Sequence, residues 1–336
     1  MEALELGQAG SARIVAVEQA APGPGQVRLR VERVGICATD VHIFHDEFPI
    51  ASFPLIPGHE FCGVVIEQGP GVTAPQLGQL VAVNPAMPCT TCIHCESGRT
   101  NLCANRLAHG VNATGALSEQ IVVNATNCFG YTADISPEEA VLTEPLACVV
   151  HGISRAGGVA GKTVLVMGGG TIGILAAETA RHDGAQAVTM AEISPARRAL
   201  AEDHGFDLLA PDLAEAQSGG RQFDLVIDAT GVAPVIEAGM GLLARGGTFL
   251  QLGVADPHST VSLNPYLVFS NEYTIVGSLT TVGTFDQARD LIQKKVLNLS
   301  GIVGQPGRLD DFVSIVENFS AQPHLKSTIS PNIRHN

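Results

Sequence analysis

The sequence predicts an α/β protein of two domains, a β-rich first domain and a second built on a doubly wound parallel sheet. Three observations lead there. Residues 163–192 run strand, GGGTIG, helix, strand, with an acidic residue at the end. Residues 89–103 read CTTCIHCESGRTNLC, which is C-x2-C-x2-C-x7-C. Before that lobe, short alternating apolar runs such as Val27-Arg28-Leu29-Arg30-Val31 look like half-buried antiparallel strands.

Composition sets the bounds. A chain of 336 residues with 45% hydrophobic and 15% charged residues is large enough for two domains with separate cores. No apolar run reaches the roughly 20 residues that span a bilayer. The start, MEALELGQAGSARIV, lacks a basic segment followed by an apolar one, so no secretory signal and no membrane partner is expected. A net charge of −14 repels phosphate backbones and argues against a nucleic-acid partner. Clustered rather than scattered cysteines fit a reducing, cytoplasmic setting.

In chain order, residues 3–6, 13–17 and 27–34 are expected strands, interrupted by AAPGPG at 20–25. The stretch from 37 to 60 then places Cys37, Thr39, Asp40, His42, His59 and Glu60 within 24 residues. Cys37 and His59 are zinc-ligand types, and a catalytic zinc needs about three protein ligands and an open position. Asp40 and Glu60 could orient such ligands from behind. Each residue alone reads more blandly, as a core thiol or a satisfied imidazole. The set favours a metal. His45 and His109 have no spacing that links them to it.

The lobe at 86–106 carries Cys89, Cys92, Cys95 and Cys103. It is too short for a core of its own, and four thiolates make a closed, structural zinc site. The same ligands also accept iron, and disulfides or four unrelated thiols are the other readings. Cys62, Cys128 and Cys148 sit beside apolar residues and read as small buried hydrophobes.

Ser136-Pro137-Glu138-Glu139 is a helix start. Glu144 lies in the apolar run TEPLACVV, where a carboxylate is costly unless paired or metal-bound, so it is the remaining ligand candidate. A helix-end carboxylate facing water is the alternative.

From 163 the pattern becomes βαβ. Gly168, Gly170 and Gly173 follow the strand 163–167, and Thr171 and Ile172 open the helix. Glu192 ends the next strand, 19 residues past Gly173. This is the dinucleotide fingerprint in its required context. The pyrophosphate would sit on the helix N-terminus. Glu192 can accept from the adenosine ribose and repel a 2′-phosphate, which favours NAD over NADP, while Arg197 and Arg198 close behind it could soften that preference. Further strands are expected at 223–228, 248–252 and 273–276, with helices at 235–243, 285–295 and 309–318. Thr230, Gly231 and Gly253 fall at the carboxyl edge of the sheet, where ligands bind. The expected domains are 1–145, 146–281 and a return to the first domain at 282–336.

GICATDVH at 35–42, PGHEFCGVV at 57–65, the four-cysteine lobe, TEPLACVVHG at 143–152 and GGGTIG with Glu192 together resemble the zinc-dependent medium-chain dehydrogenases. Within them the chain is most similar to the polyol branch (sorbitol, xylitol and arabitol dehydrogenases), with threonine dehydrogenase next. The resemblance covers nearly the whole chain. It implies a GroES-like catalytic domain joined to a Rossmann domain, and an enzyme that moves hydride from a secondary hydroxyl of a polyol to NAD. It implies that Cys37, His59 and Glu144 hold the catalytic zinc, that Glu60 exchanges onto it, and that Thr39 and His42 relay the proton. A homodimer or homotetramer is implied as well, and the edge strand at 273–276 could pair across a twofold axis. A threonine-type activity would need a cation for the carboxylate, and 37–60 shows none. A zinc- and nucleotide-binding protein without catalysis is a third possibility.

Overall fold

The computed structural model describes residues 1–8, 10–18, 21–132, 134–209, 213–321 and 325–333. Ala20 of the expected AAPGPG turn lies outside these residues, as do 322–324 and 334–336 of the tail. The chain forms two compact units. One comprises Met1–Glu144, Phe285–Lys294 and Ser300–Asn336, the other Pro145–Thr284 and Lys295–Leu299.

The first unit is built on an antiparallel sheet. Its order is Thr328–Ile329, Gln26–Gly35, Glu60–Gln68, Leu80–Val83, Cys128–Gly130, with Gln120–Asn124 also paired to Gln26–Gly35. The alternation at 27–31 does its expected work: Val27, Leu29 and Val31 are buried while Arg30 faces out. They join Val34, Ile36, Phe61, Leu117 and Ile121 in one core, which Leu309, Phe312 and Ile329 of the returning chain complete. The helix Phe285–Gln293 also belongs here. Phe285 lies 4.7 Å from Phe129, and Arg289 donates to the Gly130 carbonyl at 2.9 Å.

The second unit is a six-stranded, wholly parallel sheet. Its order is Asp207–Leu208, Ala187–Ala191, Thr163–Met167, Phe223–Asp228, Leu243–Gln251, Thr274–Gly277. The first strand of the unit is therefore central, and beside it the order in which strands are added reverses, the switch point where doubly wound sheets bind ligands. Thr163–Met167 is buried on both faces, as a parallel strand covered by helices must be.

Two expected boundaries move. The helix expected at 235–243 spans Ala233–Met240, and the next strand starts at Leu243 rather than 248. Gly239 and Gly241 weaken the helix end. Leu243 pairs with Phe223, and a register shift before the Leu225–Thr248 pair leaves residues 244–247 bulged out ahead of the regular ladder. The helix expected at 309–318 is a 3-10 turn, Leu309–Asp311, followed by the α-helix Phe312–Glu317. Ser136 caps Pro137–Ala140 as expected, accepting from Glu139 N at 3.2 Å.

Candidate metal centres and nucleotide site

Cys37 precedes the helix Ala38–Phe44, and His59 precedes the strand Glu60–Gln68. The helix is pinned at its start by Asp40, whose Oδ2 accepts from Cys37 N at 2.9 Å. Gly58 brings His59 in beside it: its φ is +94°, and a Cβ there would lie 2.6 Å from Val34 Cγ1. The result is Cys37 Sγ 3.2 Å from His59 Nε2. His59 Nδ1 faces Asp40 Oδ1 at 3.6 Å, too far for a hydrogen bond, and both atoms are buried without a partner. Burial raises the Cys37 thiol, with His59 acting against it, so a cation is needed to make this sulfur a thiolate near neutral pH.

These features fit zinc. A soft sulfur and an imidazole nitrogen converge, and the partnerless Oδ1 of Asp40 stands behind the ring to orient it once it is bound. Cys37, Asp40 and His59 bring their ligand atoms within 4.8 Å of one another. Glu60 and Glu144 do not join that group. Glu60 turns to Lys326, its Oε2 2.5 Å from Nζ, and both side chains are about 95% buried. Glu144 opens the helix Thr143–Arg155 and is half-buried. Its charge helps to raise the Lys326 ammonium, after the larger contributions of burial, Glu60 and Cys37, of which burial alone acts downward. Lys326 is the cation that the stretch 37–60 lacks, and sequence reading missed it because it lies 266 residues from Glu60.

Thr39 and His42 are three apart on the helix Ala38–Phe44 and so share a face. Thr39 is half-buried. His42 reaches outward, its Nδ1 3.0 Å from Glu47 Oε2. His45 ends the same helix with its ring against Phe44, and His109 Nδ1 is bonded to the Thr114 carbonyl at 2.7 Å. Neither joins the group.

In the lobe, Cys89, Cys92, Cys95 and Cys103 gather their sulfurs within 4.8 Å of one another, and none forms a disulfide. The Thr91 backbone, with Cys103 beside it, pulls the Cys89 thiol down to about 6. Burial and the Cys92 sulfur push Cys95 up to about 12. Four sulfurs this close cannot all ionise without a cation, and a tetrahedral ion satisfies them together. Cys62 is buried, while Cys128 and Cys148 are half-buried.

In the second unit the glycine turn leaves the central strand. A Cβ on Gly173 would lie 1.8 Å from the Gly168 carbonyl oxygen, so helix and strand approach this closely only with glycine there. Gly170 caps the helix Thr171–His182 without a side-chain hydrogen bond, and the positive end of that helix is where a pyrophosphate would sit. The buried Glu192 carboxylate accepts from Gly169 N at 2.6 Å and from Ile193 N and Ser194 N at 2.7 Å. Arg197 is half-buried on the next helix, and Arg198 is occupied by the carbonyls of Glu192 and Leu209. Thr230, Gly231 and Gly253 are gathered by Asp228. That fully buried carboxylate accepts from Thr230 N, Gly231 N and Gln251 Nε2 at 2.6–3.0 Å. A Cβ on Gly253 would meet Gly231 N at 2.2 Å.

Residues 23–133 match the alcohol dehydrogenase GroES-like domain, and residues 171–294 match the zinc-binding dehydrogenase family. The chain is 37% identical to D-altritol 5-dehydrogenase of Agrobacterium fabrum over 297 residues, covering 87% of this chain and 88% of that protein. It is 31% identical to D-arabinitol dehydrogenase 1 of Uromyces fabae over 317 residues, covering 91% and 90%. A zinc-binding dehydrogenase from Sinorhizobium meliloti, solved with NADP, superposes with a TM-score of 0.94 at 31% identity, over 98% of this chain and 99% of that one. With its antiparallel GroES-like unit, its Rossmann sheet and its two sulfur-bearing centres, the chain belongs to the zinc-dependent medium-chain dehydrogenases, NAD(P)-linked oxidoreductases.

Proposed function

We propose that this enzyme oxidises a secondary hydroxyl of a polyol to the ketose and passes the hydride to NAD. The observation that carries the reading is the juxtaposition of Cys37 Sγ and His59 Nε2, with Thr39 on the adjoining helix. The similarity to altritol and arabinitol dehydrogenases supports a polyol as the substrate class. We assign the catalytic role to the first unit and nucleotide binding to the second.

Cys37, His59 and Glu144 would hold the catalytic zinc, and Cys89, Cys92, Cys95 and Cys103 the structural one. Bound at these sites, zinc supplies Lewis acidity towards the substrate hydroxyl and NAD supplies the hydride acceptor. Asp40 orients His59 through Nδ1. The Thr39 hydroxyl accepts the substrate proton, and His42 carries it from the half-buried face of the helix towards solvent. Glu60 stands next to the site and is held by Lys326. Gly168, Gly170, Thr171, Ile172 and Gly173 cradle the pyrophosphate. Glu192 takes the ribose and disfavours a 2′-phosphate, with Arg197 beside it, while Thr230, Gly231 and Gly253 line the carboxyl edge. A threonine-type substrate is less well served, since Glu60 already meets the charge of Lys326.

No described helix is long and apolar enough to cross a membrane. We assign the enzyme to the cytoplasm as a homodimer or homotetramer, without nucleic-acid or membrane partners. The edge strand Thr274–Gly277, with Ile275 46% exposed, is suited to pairing with a second copy.

The test is NAD and NADP reduction over a panel of alditols, threonine and simple secondary alcohols, with and without chelator. Chelator-sensitive NADH formation from an alditol is expected. Activity on threonine alone would replace the substrate class. Silence on every substrate with zinc and NAD bound would point to a binding role.

A further inference from the structure

Lys326 and Glu60 form an ion pair that the proposed chemistry does not use. Both are buried, with Nζ 2.5 Å from Oε2 and 3.4 Å from the Ile36 carbonyl, one residue before Cys37. Three neighbouring strands build the slot they share. Gly35 is in register with Thr328 on one side and Glu60 on the other. A Cβ on Gly35 would lie 2.4 Å from Glu60 Oε2 and 3.3 Å from Lys326 Cδ. The carboxylate and the lysine stem therefore occupy space that only glycine leaves open. Burying such a pair seldom stabilises a fold more than apolar residues would, so stability alone does not account for it.

We propose that Lys326 is a positioning residue that holds the Glu60 carboxylate in the slot over Gly35, away from the metal position set by Cys37 and His59. This rests on the reading of Cys37 and His59 as zinc ligands. Glu60 follows His59 directly in the chain, so its carboxylate is tethered beside the metal position. Deprived of its lysine, a buried carboxylate needs another cation, and the metal is the one at hand. It would then fill the position a substrate hydroxyl must take. Zinc would be held more tightly while turnover fell, and a lysine that only supported the fold would weaken both.

The experiment uses the full-length holoenzyme. Lys326→Met keeps the side-chain volume and removes the charge, and Gly35→Ala displaces the carboxylate without altering any charge. Zinc retention against a chelator, the ligand-field spectrum of cobalt-substituted protein, and kcat are measured for each. Both variants are expected to retain zinc roughly tenfold to a hundredfold more tightly, the scale of changes behind a ligand, with lower kcat and altered cobalt bands. Adding Glu60→Gln to Lys326→Met should return zinc retention to the parent value. Unchanged or weaker retention in a folded Lys326→Met protein overturns the proposal, and Gly35→Ala decides it if Lys326→Met does not fold. If Cys37→Ser leaves zinc content and cobalt bands as they were, the ligand reading fails first and the proposal falls with it.

Discussion

Glu192 Oε2 accepts the Gly169 N–H at 2.6 Å, so the acidic residue ending one strand closes the glycine turn that follows its neighbour. The carboxylate that would meet the ribose is thus fixed before any nucleotide arrives, by three backbone N–H groups.

Replacing Glu192 with Ser should therefore weaken NAD more than NADP. Losing hydrogen bonds to a charged group costs about 2 kcal/mol, roughly thirtyfold in Kd. The chain has no Trp, so titration should follow the fluorescence of the reduced nucleotide itself. Equal losses for both nucleotides would remove Glu192 from the specificity determinants.

A second expectation concerns the backbone beneath His59. Gly110 has φ +75°, and a Cβ there would lie 2.4 Å from the carbonyl carbon and oxygen of Gly58. Gly110→Ala should destabilise the first unit by more than about 2 kcal/mol through strain and clash together. Because Gly58 carries His59, zinc should leave the Cys37 centre more readily while the four-cysteine lobe keeps its own. Metal analysis after graded chelation would show this, and uniform loss from both centres would contradict it.

Cys95→Ser should halve the zinc content and loosen the lobe between the paired segments Ala86–Met87 and Leu107–Ala108. Proteolysis within 89–103 should rise with it. Full zinc content in the variant would mean that the four sulfurs are not one site.

Stability should also respond to acid through Glu178. Burial would raise this carboxyl, but His204, at 2.8 Å, and Arg181 outweigh it and hold it below its ordinary range. A depressed folded-state value contributes stability above the unfolded value near 4.3 and loses it as pH falls through the folded one. Glu178→Gln should thus cost about 3 kcal/mol at neutral pH, the low end for breaking a buried pair, since Arg181 is partly screened by water. The gap to the parent protein should close below about pH 4. Denaturant melts across that range would test it, and a gap that widens in acid would contradict it.

The parts of the site that are local in sequence were legible there. GGGTIG needs only a strand before it and a helix after it, and Cys37, Thr39, Asp40, His59 and Glu60 fall within one short stretch. The four cysteines announce themselves by spacing. What could not be read was contributed from far along the chain or decided by packing. Lys326 belongs to no motif near 37–60, and only the pairing of Thr328–Ile329 with Gln26–Gly35 brings it in. The direction in which Glu60 turns depends on that same distant residue. The helix end at Met240 was missed because Leu242 and Leu243 continue the apolar pattern, while Leu243 pairs as strand with Phe223.

The unit that begins the chain is also the unit that ends it, and this bears on how the protein is made. As the chain leaves the ribosome, the parallel sheet of Pro145–Thr284 emerges whole while the strand Gln26–Gly35 still lacks its outer partner. The first unit must wait, with Glu60 uncompensated, until Lys326 and Thr328–Ile329 are released. A chain that stopped before Lys326 would still contain every residue of the second unit, and would leave the first sheet without the strand Thr328–Ile329.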